Sequence, residues 1–162
     1  MTNAEFEQLI KKNKQKFYRF AFSILRNHED AKDTVQEVVL KLWKKRTTLD
    51  KSNNVESFCM HAIKNYSLDV LRKRKLDNEL IMNLNEKNVG EQNFENVDLL
   101  NKIKNELKNL AVQQRMAIEL KDFQGYEYEE ISEILQMSIN AIRVSVSRGR
   151  KRLFEIFREE LK

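Results

Sequence analysis

An all-α fold, built as two small helical domains joined by a flexible acidic linker, is what this sequence predicts. Three observations carry that expectation. The 162 residues contain no proline and only three glycines, too few turn residues for a strand-rich chain. Leu, Ile, Lys and Glu, all sound helix formers, are abundant. Apolar residues recur at helical spacing in both halves and fade in between, and a hydrophobic content of 41% is enough for packed cores.

Taken in order, the first helix is expected over Asn3 to Leu25, where Phe6, Leu9, Ile10, Phe17, Phe20, Ala21 and Ile24 keep largely to one face. The segment RNHED then interrupts, and Asn27 suits the cap of a second helix whose first turn carries Glu29 and Asp30. That helix should run to about Arg46 on a stripe of Ala31, Val35, Val38, Val39 and Leu42. Its opposite face holds Asp33, Gln36, Glu37, Leu40, Lys41 and Lys44, which sets a leucine among charged and amide groups on a wet surface. An apolar centre with a polar rim is the pattern of a protein contact, although a lone exposed leucine is also ordinary. TTLDKSNNVE reads as a loop, and a third helix from about Val55 to Arg74 should bury some of Phe58, Ala62, Ile63, Tyr66 and Leu71.

Residues 1–76 form the first expected domain and 77–96 the linker, rich in Asn and Glu, within which Leu80, Ile81, Met82 and Leu84 suit a short docking helix. Periodicity returns over 97–162 in VDLLNKIKNELKNL, VQQRMAIELKDF, YEEISEIL and a last helix from Ile139, a four-helix unit. Gly125 follows KDFQ, where a helix end favours a left-handed residue. YEEISEIL, the short QMS and a helix capped by Ser138 have the spacing of a helix-turn-helix, with Ser132 small where the two helices cross. Ile131, Leu135, Ile139, Ile142 and Val146 make its expected seam, leaving Asn140, Arg143, Val144, Ser147, Arg148 and Lys151 opposite, as a helix in the DNA major groove requires.

Charge agrees with that reading. The chain is +5 overall, but residues 139–158 hold six cations against Glu155, whereas residues 77–98 hold six anions against Lys87. So dense a basic helix calls for a polyanion or for solvent. One cysteine, Cys59, excludes an internal disulfide, and the start MTNAEFEQLI lacks a basic segment followed by a long apolar run, so a cytoplasmic protein without membrane insertion is expected. His28 and His61 lack a carboxylate three residues away, and Asp30, Asp33 and Glu37 read as a solvated or partner-facing run. No glycine-rich phosphate loop is present, so the expectation is no enzyme, no catalytic residue, no metal and no cofactor.

FYRFAFSILRNHEDAKDTVQEVVLKLWKKR with SFCMHAIKNYSLDVLRKRK resembles region two of the extracytoplasmic-function (ECF) sigma factors, and LAVQQRMAIELKDFQGYEYEEISEILQMSINAIRVSVSRGRKRL resembles their region four. The two likenesses lie in the family's order and span nearly the whole chain. They imply a dissociable subunit that binds core RNA polymerase and directs promoter recognition, local DNA melting and transcription initiation, with an anti-sigma protein as a further partner. Asp33, Gln36, Glu37 and Leu40 would then face the polymerase. Lys64, Asn65, Asp69, Arg72 and Arg74, with the loop before them, would take the melted minus-ten strand. Ser138, Asn140, Arg143, Val144, Ser147, Arg148 and Lys151 would meet the minus-thirty-five duplex. The chain departs from the family pattern at Leu110-Ala111, usually Leu-Pro, at Ser145, often basic, and at Gly149, usually alanine.

The rival reading is a free-standing helix-turn-helix regulator with a helical sensing or dimerisation domain, which would bind a palindromic operator without polymerase. A sigma factor would instead bind promoter weakly until polymerase is present. A linker of about 20 residues has a coil span of roughly 25 Å and a reach of about 65 Å. The halves are expected to pack together when free, with the acidic linker near basic surface, and to separate on polymerase.

Overall fold

The structure, a computed structural model, describes residues 1–49, 54–84 and 110–160, with side chains for all of these except 79–84 and 160. Every element in the described residues is helical. Helix α1 spans Asn3–Leu25, α2 His28–Lys44 and α3 Val55–Leu84, with one 3₁₀ turn at Arg46–Thr48. After the second stretch come α4 (Val112–Ile118), which runs into a π-helical turn at Glu119–Phe123, then α5 (Tyr128–Leu135) and α6 (Ile139–Glu160). The helix expected over VDLLNKIKNELKNL, residues 85–96 and most of the loop after Leu49 lie outside the described residues.

Helix ends are closed by the groups the local sequence supplies. Thr2 and Glu5 form a reciprocal capping box at the start of α1. Asn27 Oδ1 accepts from Asp30 N at 3.0 Å, Asn54 Oδ1 from Ser57 N at 3.1 Å and Ser138 Oγ from Ala141 N at 3.1 Å. Gly125 takes the left-handed conformation, φ +76°. Ala111 sits at φ −56° and ψ 145°, the backbone a proline would impose, so the chain breaks sharply before α4 without one. His28 lies flat against Phe22, ring centroids 4.4 Å apart, and hydrogen-bonds Tyr18 Oη, which ties the α1–α2 corner.

Helix α1 buries Phe6, Phe17, Phe20, Ala21 and Ile24, and α2 buries Ala31, Val35, Val38 and Leu42, on the expected stripes. Two expectations for α3 need correction. The helix continues to Leu84, so the first part of the stretch assigned to the linker is helical, since nothing from Val55 onward breaks it: no glycine and no proline. Its buried face is centred on Val55, Cys59, Met60 and Ile63, with Ala62, Tyr66 and Leu71 half-buried beside it, while Phe58 stands off this face and is 49% exposed.

The two halves share one hydrophobic cluster, from Phe6 and Phe17 through Met60 and Ile63 to Leu120, Ile131 and Val146. Helix α5 packs on α3 and α4 on α1. Their packing matches the compact arrangement expected for the free chain; the expected position of the acidic linker lies largely outside the described residues.

Candidate nucleic-acid interface

Helices α5 and α6 form the helix-turn-helix. Ile131, Leu135, Ile142 and Val146 are buried between them as expected, and Ile139 is half-buried. Gln136 adopts the left-handed conformation that turns the chain, and Ser132 Oγ donates to Met137 O at 2.7 Å, so that serine is a tie across the turn as well as a small residue at a crossing. Exposed on the far side of α6 and the turn before it are Ser138, Asn140, Arg143, Val144, Ser147, Arg148 and Lys151, all seven of the candidate duplex-contacting residues. At 100° per residue the six within the helix span an arc of about 140°.

The cations of α6 are not equivalent. The Arg143 guanidinium lies over the Tyr128 ring, 5.1 Å from its centroid, which holds the long side chain upright beside the exposed face. Arg150 forms a two-pronged ion pair with Asp122 of the π turn, Nε to Oδ2 at 2.9 Å, and that pairing holds its pKa above the ordinary value. Arg150 therefore clamps α6 to the π turn. Arg148 and Lys151 have no ion-pair partner among the described residues and point to solvent. Ser145 is buried, so its departure from the family pattern falls on the packed side of α6. Gly149 is buried too: a Cβ there would run into Ile118 Cδ1.

The candidate minus-ten residues divide. Asn65, Asp69 and Arg72 are exposed, with Arg72 paired to Asp69 at 2.7 Å. Lys64 is not a surface residue in this arrangement: it is 8% exposed and donates to Leu135 O of α5 at 3.3 Å, because α5 lies across α3 there. Burial lowers its pKa. Arg74 is spent on Asp30 and on Leu25 O, 3.0 Å away, where it closes the end of α1. Sequence reasoning missed Phe58, an exposed ring on the same strip as Asn65 and Asp69 at helical spacing; its position just past the loop was the available signal. It also missed Arg115 of α4, a buried cation whose guanidinium donates to Ser23 O at 2.7 Å and Ile24 O at 2.9 Å at the end of α1.

On α2, Asp33, Gln36, Glu37 and Leu40 are all exposed and form one face, with Leu40 at 54%. Beside Leu40 an open groove of about 420 Å³ is walled by Phe6, Ile10, Val39 and Trp43 and edged by Glu7 and Lys11. The apolar centre thus extends beyond the single leucine. Among the described residues no three His, Cys, Asp or Glu side chains stand together as a metal site, and no helix is long and apolar enough to cross a membrane.

A helix-turn-helix with an exposed cationic face, packed on a helical unit that has its own rimmed apolar face, defines a transcription protein that works against both DNA and another protein. Comparison with known proteins is specific about which. Residues 9–76 match the family model for Sigma-70 region 2, and residues 100–153 that for Sigma-70, region 4. The chain belongs to the sigma-70 family and is of the ECF type; it directs promoter recognition as a sigma factor. It is 29% identical to the RNA polymerase sigma factor SigV of Bacillus subtilis, over 99% of this chain and 96% of that one. It is 23% identical to ECF RNA polymerase sigma factor SigX of the same organism, over 96% and 87%. Among solved structures, the sigma factor RpoE of Bartonella quintana, in complex with the anti-sigma factor NepR, superposes with a TM-score of 0.78 at 27% identity over 95% of this chain and 97% of that one. CnrH, in complex with the cytosolic domain of CnrY, shares the fold at a TM-score of 0.70 and 17% identity, over 98% and 90%. Sigma factors as a class are not enzymes.

Proposed function

We propose a division of labour among three surfaces. The α2 face of Asp33, Gln36, Glu37 and Leu40, with the groove beside it, binds core RNA polymerase. Asn65, Asp69 and Arg72, joined by Lys64 and Arg74 once these are released from their internal partners, take the melted minus-ten strand. The exposed side of α6, with Arg143, Arg148 and Lys151 as its cations, meets the minus-thirty-five duplex. Residues 1–76 and 97–162 are the two functional units, and α3 carries the first of them into the linker. The protein acts in the cytoplasm, where polymerase and promoters are, and an anti-sigma protein is its regulatory partner; the complex of the Bartonella sigma factor with NepR supports that last reading.

The observation that carries the reading is Leu40, half exposed at the centre of a polar face and bordering an apolar groove. Truncating the anchor of such an interface typically costs about 2 kcal/mol or more, some thirtyfold in affinity. Leu40→Glu, and separately Gln36→Ala with Glu37→Lys, should weaken binding to core polymerase by that order while leaving the circular-dichroism melting curve unchanged. Unaltered affinity in both variants would remove this face from the interface.

A further inference from the structure

Two cations from different elements share one aromatic ring at the start of the helix-turn-helix. Tyr128, the first residue of α5, is half-buried and packs against the core. Lys121 of the π turn places Nζ 4.5 Å from the ring centroid, and Arg143 of α6 places its guanidinium carbon 5.1 Å away. The ring is held by its surroundings. Tyr126 is buried and its N–H donates to Leu120 O at 2.9 Å, Glu127 N donates to Glu130 Oε1 at 3.2 Å, and the Lys121 ammonium donates to Tyr126 O at 3.4 Å. The Arg143 guanidinium, by contrast, is exposed and has no ion pair or hydrogen bond among the described residues. Asp122, next to Lys121 in the π turn, is taken by Arg150.

We propose that Tyr128 is a specificity-positioning residue for the upstream promoter element: its ring holds the Arg143 guanidinium in the pose that reads a base edge and withholds it from the neighbouring phosphates. The inference rests on the reading of α6 as the duplex-contacting helix. Position on the helix carries it. At 100° per residue, Arg143 and Arg148 stand at the two ends of the exposed arc of about 140°, and Arg143 is the one with an aromatic ring beside it. An arginine at the edge of a groove-facing arc has both phosphate oxygens and base edges within reach. Phosphate accepts a guanidinium in many poses, whereas paired bonds to guanine O6 and N7 require a single plane. An untethered arginine spreads over many rotamers, which favours the less exacting acceptor. The π face of Tyr128 attracts the guanidinium and narrows that spread. The Lys121 charge on the same ring repels it from the π turn, which leaves the outward pose. A residue outside the recognition helix thus sets how sharply a base is read.

The test uses the full chain assembled with core polymerase, and the probe is a pool of promoter-length duplexes of randomised sequence. Sequencing the bound fraction gives base preference position by position, and Arg143→Ala identifies the position that Arg143 reads. Tyr128→Leu, which keeps an apolar side chain but no π face, should lower preference at that same position by about two- to fivefold, the worth of an exposed cation–π contact. Its salt slope should stay at the wild-type value, because the Arg143 charge remains on the DNA. Tyr128→Phe should keep the preference. Tyr128→pentafluorophenylalanine retains the shape of the ring with its quadrupole reversed, so packing is preserved and the preference should fall as it does with leucine. Loss of preference in the phenylalanine variant, or full preference with leucine or the fluorinated ring, overturns the positioning role. So does an equal loss of affinity for all sequences with leucine, which would make the ring a structural support alone. An Arg143→Ala protein that selects the same sequences as the wild type would instead remove the base-reading role of Arg143, and the proposal with it.

Discussion

Gly149→Ala sets two effects of known sign against each other. In an isolated helix the alanine would be worth about 1 kcal/mol over glycine. In this protein a Cβ at position 149 meets Ile118 Cδ1 well inside contact distance, with Ile118 Cγ1 at 3.2 Å and Gln114 Cβ at 3.5 Å. Ile118 is itself only 2% exposed, so its side chain has little room to turn away. Forcing an extra methyl into such packing costs about 1–3 kcal/mol. Once the propensity gain is set against it, the substitution should destabilise by about 1 kcal/mol. Ile118→Val removes the offending Cδ1 at a cost of its own of about 0.5–1.5 kcal/mol. In that background the alanine should become neutral or stabilising by up to about 1 kcal/mol, a coupling of about 1–2 kcal/mol between two residues in contact. Urea unfolding of the four proteins, followed by circular dichroism, measures the cycle. Stabilisation by Gly149→Ala alone, or additivity within 0.3 kcal/mol or so, would refute the close-packing account and leave the glycine as a simple departure from good helix composition.

The cations of α6 should separate by role in polymerase holoenzyme binding to upstream-element duplexes. Arg143→Ala should relax preference at one base position by about 1–3 kcal/mol, whereas Lys151→Ala should weaken all sequences alike and lower the salt slope by about 1. Identical effects of the two would contradict the assignment. Cys59 is 1% exposed, and burial, reinforced by the Glu56 charge, pushes its thiol up from 9.0 to about 12. Since the thiolate is the reactive form, alkylation of the folded chain at pH 8 should run about a thousandfold slower than in urea on ionisation alone, and should speed up as pH rises; equal rates would show that the site opens freely.

How far the sequence could be read depended on the range of the forces involved. The helix caps at Asn27 and Ser138, the left-handed Gly125 and the apolar stripe of α2 are matters of a few neighbouring residues, and all four stand where the sequence placed them. The seven residues on the outer side of the helix-turn-helix were legible for the same reason, since 3.6-residue periodicity sets which face of α6 the buried seam leaves exposed. Family resemblance then supplied roles that periodicity cannot.

What the sequence by itself determined, then, is the helical class, the order of the described helices and, apart from the far end of α3, their approximate limits, and the two polar faces of α2 and α6. Tertiary structure alone decided which cations remain available. Lys64, Arg74 and Arg150 look like any surface cation in a basic stretch, yet one is buried beneath α5 and the other two are bound to Asp30 and Asp122. Arg115 drew no notice in the sequence, and it joins the halves. Phe58 passed for core and Gly149 for a plain departure from the family's alanine, until the packing of the partner helices showed one exposed and the other pressed against Ile118. Each outcome turns on contacts between residues tens of positions apart. Periodicity and propensity describe a helix against solvent, whereas burial and charge pairing are set by whichever distant surface comes to lie on it.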